Sequence, residues 1–302
     1  MQLTDNSRGA LYMSIAMAAF TVNDTCMKAV TATLPLYQAI LLRGGLTVVA
    51  LLAIGWWMGA LRFRIVPEDR KWIALRSVGE VAGTLTFLTA LRHMPLANLS
   101  AILQFLPLAV TLTAALFLRE PVGWRRMAAI LVGFFGVLLI VRPGTAGFDL
   151  WSLVGLASVA CVVLRDLATR RLSSGLPSAT VAVYAALSVT VTAALLLPLE
   201  GWAPVTLGSA LLIAGASGFL IVGYLLIVMA MRVGEISLVA PFRYTALVFA
   251  IALGWAAFGQ LPDSLTLTGA AIVIATGVYT FHRERRLGRP VAIPLKAPLR
   301  IR

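Results

Sequence analysis

Ten runs of about twenty mostly apolar residues follow one another along this chain with scarcely a gap between them. They lie near 9–30, 36–60, 73–91, 97–118, 124–141, 150–168, 178–198, 208–230, 236–258 and 264–281. A run of this length spans the hydrocarbon core of a bilayer as a helix. In lipid only a helix or a closed barrel satisfies its own backbone polar groups, and apolar runs this long select the helix. Composition excludes the soluble alternative. Charged residues make up 12% of the 302 and hydrophobic residues 60%, whereas a soluble domain carries about 25% charged residues. The expectation is an all-α membrane protein with about ten transmembrane helices. The first run is too long and too interrupted for a cleaved signal peptide and is expected to stay.

The net charge of +13 raises the question of nucleic acid, and its placement answers it. With the N-terminus taken as cytoplasmic, one side collects Arg8, Arg62, Arg64, Arg70, Lys71, Arg119, Arg125, Arg126, Arg165, Arg170, Arg171, Arg232 and the basic tail. The other side holds Arg92, Arg142 and the marginal Lys28. That asymmetry follows the positive-inside rule, with both termini in the cytoplasm of a multi-pass inner-membrane protein. The partners expected are therefore a lipid bilayer and a small-molecule substrate, with no nucleic acid. The tail at 283–302 suits either anionic headgroups or plain disorder. Oligomeric state stays open, and a monomer is compatible with the sequence. Cys26 and Cys161 sit in apolar runs without metal-ligand spacing and read as packing residues.

The chain repeats itself. "NDTCMKAVTATLP" (23–35) lies over "RDLATRRLSSGLP" (165–177), matching Asp24 with Asp166, Lys28 with Arg170 and Pro35 with Pro177 at an offset of 142. "ALRHMPLANLSA" (90–101) lies over "AMRVGEISLVAP" (230–241) at 140, which also aligns Ser77 with Ser217 and Gly83 with Gly223. "AAILVGFFGV" (128–137) lies over "GAAIVIATGV" (269–278) at 141. Three ordered blocks at nearly one offset divide the chain into two five-helix halves, 9–142 and 150–282. Five is odd, so the second half enters the membrane inverted, the arrangement of many secondary transporters that bind substrate at the midplane.

The doubled pattern resembles the drug/metabolite transporter superfamily in its ten-helix, EamA-type branch, with YddG-like aromatic amino-acid exporters as the nearest likeness. "LRHMPLANLSAILQFLPLAVTLTAALFLREP" and its partner "MRVGEISLVAPFRYTALVFAIALGWAAFGQLP" carry the resemblance, together with Arg43, Pro107, Glu120 and the "GFFGV" and "ATGV" ends. Gln260 departs from it, standing where the second repeat usually has an acid like Glu120. The resemblance implies two inverted bundles, a central cavity and export of small metabolites.

Ionisable residues inside spans are costly and usually face a cavity or a partner. Here they are Asp24, Arg43, Glu80 and Arg243, with Arg165 and Asp166 nearer the inner surface. Depth allows two pairs, Asp24 with Arg43 near the outer side and Glu80 with Arg243 near the inner side. Each reads either as a static helix–helix contact or as part of a gate or coupling site. Polar stripes at helical spacing add Gln104, Asn98, Tyr224, Tyr244, Phe87 and Ser237 as cavity candidates, though small and hydroxyl residues also serve helix packing. Pro107 and Pro241 interrupt corresponding helices of the two halves, and paired interruptions point to a transporter's binding site. In this reading Gln104 or Arg243 holds a substrate carboxylate and Glu80 or Asn98 an amine, with Pro107 and Pro241 as hinges.

No phosphate loop, H-E-x-x-H or G-x-S-x-G occurs, and no metal or cofactor is expected. The reading is a non-enzymatic exporter of small amphipathic metabolites, aromatic or neutral amino acids foremost, working by alternating access. Its rivals are a multidrug pump for cationic compounds, a lipid-modifying membrane enzyme and a receptor or assembly subunit without flux.

Overall fold

The computed structural model describes residues 5–59, 61, 65–117, 123–143, 149–173, 175–233 and 236–286. Among these all regular secondary structure is helical. Its helices are α1 (Asp5–Val30), α2 (Leu36–Trp57), α3 (Pro67–His93), α4 (Leu96–Leu103), α5 (Leu106–Phe117), α6 (Trp124–Val141), α7 (Leu150–Arg170), α8 (Ser178–Leu196), α9 (Leu207–Val233), α10 (Ile236–Val239), α11 (Thr245–Phe258) and α12 (Ser264–Arg286). Counting α4 with α5 and α10 with α11 as single spans gives ten. Eight of the ten are long and apolar enough to cross a membrane on length and composition alone. The other two, α1 and α3, carry the charged residues that lower their hydropathy, Asp24 and Lys28 on one and Arg76 and Glu80 on the other among them.

Prolines punctuate the bundle. Pro35, Pro95 and Pro177 each stand just before a helix, and Pro67 opens α3, positions where the missing N–H costs nothing. Pro67 also corrects an expected boundary. The apolar run at 73–91 is the middle of a longer helix whose first turns, with Glu68 and Asp69, extend beyond the apolar stretch. Glu80 therefore lies near mid-helix, about 20 Å from the α3 N-terminus, deeper than its place in the run implied.

The main helix neighbours form a regular set. α1 packs on α9 and α3 on α7; α2 packs on α8, α6 on α12 and α4 on α11; α1 meets α11 and α5 meets α7; α2 meets α9 and α3 meets α8. Exchanging the first five spans for the last five maps this set onto itself. Glycines let the backbones meet. A Cβ on Gly79 would stand 2.8 Å from the Arg165 backbone nitrogen and 2.9 Å from the Cys161 carbonyl, so the main chains of α3 and α7 meet. Gly136 and Gly269 bring α6 and α12 together in the same way, each facing the other's carbonyl. Such small-residue contacts hold helices together where lipid supplies no hydrophobic driving force.

Both ends of the bundle are laced by polar contacts. At one end Lys28 donates to the Leu91 and Met94 carbonyls (2.7 and 2.8 Å) at the close of α3. Gln38 exchanges two 2.8 Å hydrogen bonds with the Ala203 main chain, and Arg92 pairs with Glu200 at 3.7 Å. At the other end Asp69 accepts from the Ser173 backbone N–H (3.0 Å) and hydroxyl (2.5 Å), tying α3 to the 171–177 connection.

Candidate functional site

Between the two laced ends runs a file of charged side chains drawn from five spans. Asp24 on α1 and Arg43 on α2 lie about 9–10 Å from the helix ends at the Lys28 side. They do not form the direct ion pair that depth suggested. Asn23 stands between them, accepting from Arg43 Nη1 at 3.4 Å and donating Nδ2 to Asp24 Oδ1 at 2.8 Å. Asn23 is buried. The apolar context of "AAFTVNDTCMKAV" hid its role, because an amide in a helix carries no charge to flag it.

Glu80 stands next along the file, and its partners differ from the expected one. It pairs with Arg76 one turn earlier on α3 at 3.4 Å and with Arg165 on α7 at 3.5 Å. Arg243 is not bonded to it. The reason is helix pairing: α3 lies along α7, which places Arg165, not the 240–244 segment, opposite Glu80. Arg165 also holds Asp166 beside it, with N–O distances of 2.8 and 2.9 Å. Arg76 donates Nε to the Thr169 hydroxyl at 3.1 Å. Its i, i+4 spacing to Glu80 was the available sequence signal for its part.

Arg243 sits within electrostatic reach of Asp166, Arg165 and Tyr244. Among the described residues no carboxylate lies within the 4.0 Å of an ion pair to it. Tyr224 of α9 is 44% exposed. Yet Glu80, Arg165, Arg76 and Arg43 all act on its phenol. The ring is accessible on one side and stands within electrostatic reach of charges on three other helices. Phe20 packs edge-on against it at 5.4 Å, which makes an aromatic wall beside the charges. Phe20 was missed by sequence because one phenylalanine in an apolar run is indistinguishable from core.

The remaining candidates spread around this file. Gln104 is buried where the fourth span breaks: α4 stops at Leu103, Phe105 N–H bonds back only three residues to Ile102, and α5 restarts at Leu106. Pro107 opens that second piece, and its missing N–H is one of those that need no partner. The ninth span tightens to a 3-10 turn at Ala240–Tyr244 around Pro241. Both proline-bearing spans are thus interrupted within their first half. Asn98 on α4 has a buried Oδ1 without a partner among the described residues. Phe87 packs into the main apolar core. Tyr244 turns toward α12, where its ring joins Ala240, Phe281 and Ile274. Ser237 belongs to α10, and its side chain lies outside what is described, as do Glu120 and residues 287–302. Among the described residues no group of three His, Cys, Asp or Glu could hold a metal ion.

A bundle of apolar spans enclosing a file of arginines and carboxylates is the build of a membrane transporter for small molecules. Residues 7–142 match the EamA-like transporter family; this EamA-type domain, of the drug/metabolite transporter superfamily, together with the apolar spans marks the chain as a multi-pass inner-membrane transporter rather than an enzyme. It is 29% identical to a riboflavin transporter of Vibrio cholerae over 93% of this chain and 95% of that one. It is 26% identical to the pseudopaline exporter CntI of Pseudomonas aeruginosa, covering 88% and 93%. An S-adenosylmethionine uptake transporter of Rickettsia felis shares 24% identity, covering 92% and 94%. A crystal structure with 21% sequence identity superimposes with a TM-score of 0.62, covering 92% of this chain and 98% of that one, which shows the fold.

Proposed function

We propose that this transporter exports small amphipathic metabolites that carry a carboxylate, aromatic or neutral amino acids foremost, by alternating access between two inverted five-helix repeats. The repeats are 9–142 and 150–282, and both termini, with the basic tail at 283–302, lie in the cytoplasm. The observation that carries the substrate class is the charge balance of the file. Four arginines (43, 76, 165 and 243) face three carboxylates (24, 80 and 166). Arg76 and Arg165 are engaged by Glu80 and Asp166, while Arg243 is left with no ion pair among the described residues. A guanidinium in a low-dielectric opening attracts a carboxylate strongly. The same surplus repels organic cations, so a cationic-drug pump has less support.

Supporting the repeat are the helix neighbours, which survive exchange of the two halves, and the matched breaks at 104–105 and 240–244. Within the opening Arg243 and Gln104 take the carboxylate. Asn98, with its vacant Oδ1, is a better acceptor for an ammonium than Glu80, which two arginines already hold. Phe20 and Tyr224 receive the side chain.

The test is reconstitution in liposomes with labelled phenylalanine, tryptophan, leucine and a cationic dye. Amino-acid flux is expected, and Arg243→Ala and Gln104→Ala each lower it by at least tenfold. Native flux in both variants removes the assigned site, and dye transport without amino-acid transport removes the substrate class.

A further inference from the structure

Arg43 has bonding capacity that the protein does not use. A guanidinium offers five N–H donors in a planar fork. Arg43 is 9% exposed, and its Nε is buried without a partner among the described residues. Its one side-chain hydrogen bond among the described residues is the long contact to Asn23. The backbone beneath it is fixed, because Thr47 and Ser217 hydroxyls both donate to the Arg43 carbonyl, at 2.8 and 3.2 Å. Leaving a buried cation so under-bonded is costly unless a ligand completes it.

Asp24 lies one amide away and makes no direct ion pair among the described residues. Several charged or titratable groups sit near it. Besides Arg43 on α2, they are Lys28 on α1 itself and, on the elements packed against α1, Arg76 and Glu80 of α3, Tyr224 of α9, and Arg243 and Tyr244 of the 240–244 turn. Of all these, Arg43 is the charge that acts on Asp24. Asp24 is half-buried, and the accessible Tyr224 is within electrostatic reach of Arg43, so a ligand has a side from which to enter.

We propose that Arg43 is a carboxylate-binding site whose occupancy is linked to a proton on Asp24, so that an organic anion and a proton bind together. With the site empty, ionised Asp24 balances Arg43 through Asn23. A ligand carboxylate on Arg43 places two anions beside one cation. A proton from bulk water, bonding to a carboxylate oxygen of Asp24, restores one anion to one cation. Linkage makes this reciprocal: the proton favours the anion as much as the anion favours the proton. Flux of the carboxylate then carries a proton in the same direction. The inference rests on the proposed function only in taking the substrate to bear a carboxylate; it places that carboxylate on Arg43 at one stage of transport, with Arg243 and Gln104 holding it at another.

The experiment uses the purified full-length protein in nanodiscs, with phenylalanine and benzoate as probes. Binding is followed by intrinsic fluorescence and proton uptake by an indicator dye in weak buffer between pH 6 and 9. The expected result is close to one proton taken up per probe bound and affinity that weakens as pH rises. Asp24→Asn keeps the binding but loses the proton uptake and the pH slope. Arg43→Ala loses the binding, and Arg43→Lys restores part of it. Binding without proton uptake overturns the linkage, as does uptake that persists in Asp24→Asn. Unaltered affinity in Arg43→Ala overturns the site, as does failure of both probes to bind. Benzoate binding with uptake, but no phenylalanine binding, leaves the inference standing and removes the amino-acid reading.

Discussion

The phenolic oxygen of Tyr244 rests against the backbone of Gly277, so closely that no Cβ fits at residue 277. That hydroxyl is buried and has no hydrogen-bond partner among the described residues. Tyr244 closes the 3-10 turn that interrupts the ninth span, so the contact sets where that turn sits relative to α12.

Gly277→Ala is expected to displace this turn. Overpacking costs about 1–3 kcal/mol, against which alanine's better helix propensity returns up to about 1 kcal/mol. A lowered melting temperature and reduced flux are the readouts. Tyr244→Phe alone is expected to be neutral or mildly stabilising, because it removes an unsatisfied buried hydroxyl. In the Gly277→Ala background it recovers part of the loss. A Gly277→Ala protein with native melting and native flux contradicts the packing argument.

Gly79 and Gly223 occupy matching interfaces, yet they should differ in tolerance. A Cβ at Gly79 meets the α7 main chain, at 2.8 Å from the Arg165 nitrogen. A Cβ at Gly223 meets the Phe20 ring, 2.6 Å from its nearest atom, and a side chain moves more easily than a backbone. Gly79→Ala should therefore cost more stability than Gly223→Ala. Gly223→Ala should mainly tilt the Phe20–Tyr224 wall and alter KM. Thermal denaturation and uptake kinetics of the two variants, side by side, decide it.

Glu80→Gln leaves Arg76 and Arg165 without their shared carboxylate. Loss of hydrogen bonds to charged groups in a largely buried setting is expected to destabilise by roughly 1.5–3 kcal/mol. Because Arg165 keeps Asp166, the double variant Glu80→Gln with Arg76→Met should be milder than Glu80→Gln alone. A double-mutant cycle with no coupling energy would show the Glu80–Arg76 contact to be energetically empty.

Asp263, outside the spans, accepts from the Thr266 backbone N–H at 2.8 Å and also meets Arg142. The Thr266 bond, and to a lesser degree Arg142, hold its carboxyl below the usual aspartate range. A depressed folded value means that its stabilisation is present above the unfolded value of about 3.9 and is lost as pH falls through the folded one. As the capping residue of α12 it contributes about 1 kcal/mol. Asp263→Asn should thus melt below the native protein at pH 7 and approach it at pH 3. A melting difference that does not shrink with acid argues against an ionic part in the cap.

Spans, interruptions and the placement of most charges were legible in the chain because each depends on local composition. Twenty apolar residues make a helix wherever they stand, and Pro107 and Pro241 disturb the spans that hold them. Pairing was not legible. Asp24, Arg43, Glu80 and Arg243 were found, but depth alone could not assign partners. Depth fixes one coordinate of a side chain, whereas pairing also needs helix adjacency and rotation. Glu80 met Arg165 because α3 lies along α7, and no local signal records that. Neutral groups were harder still. Asn23 mediates between two charges and Phe20 builds a wall, yet neither breaks any pattern.

The clamp between Gln38 and Ala203 has an evolutionary consequence. The Gln38 amide donates to the Ala203 carbonyl and accepts from its N–H, as a peptide group does in a strand pair. On one side the bond is written in a side chain, on the other only in the main chain. Position 38 is therefore expected to tolerate almost nothing, while position 203 can drift through any residue that keeps its N–H. Substitutions at the two sites will not track one another, so this contact stays silent to methods that infer proximity from correlated change.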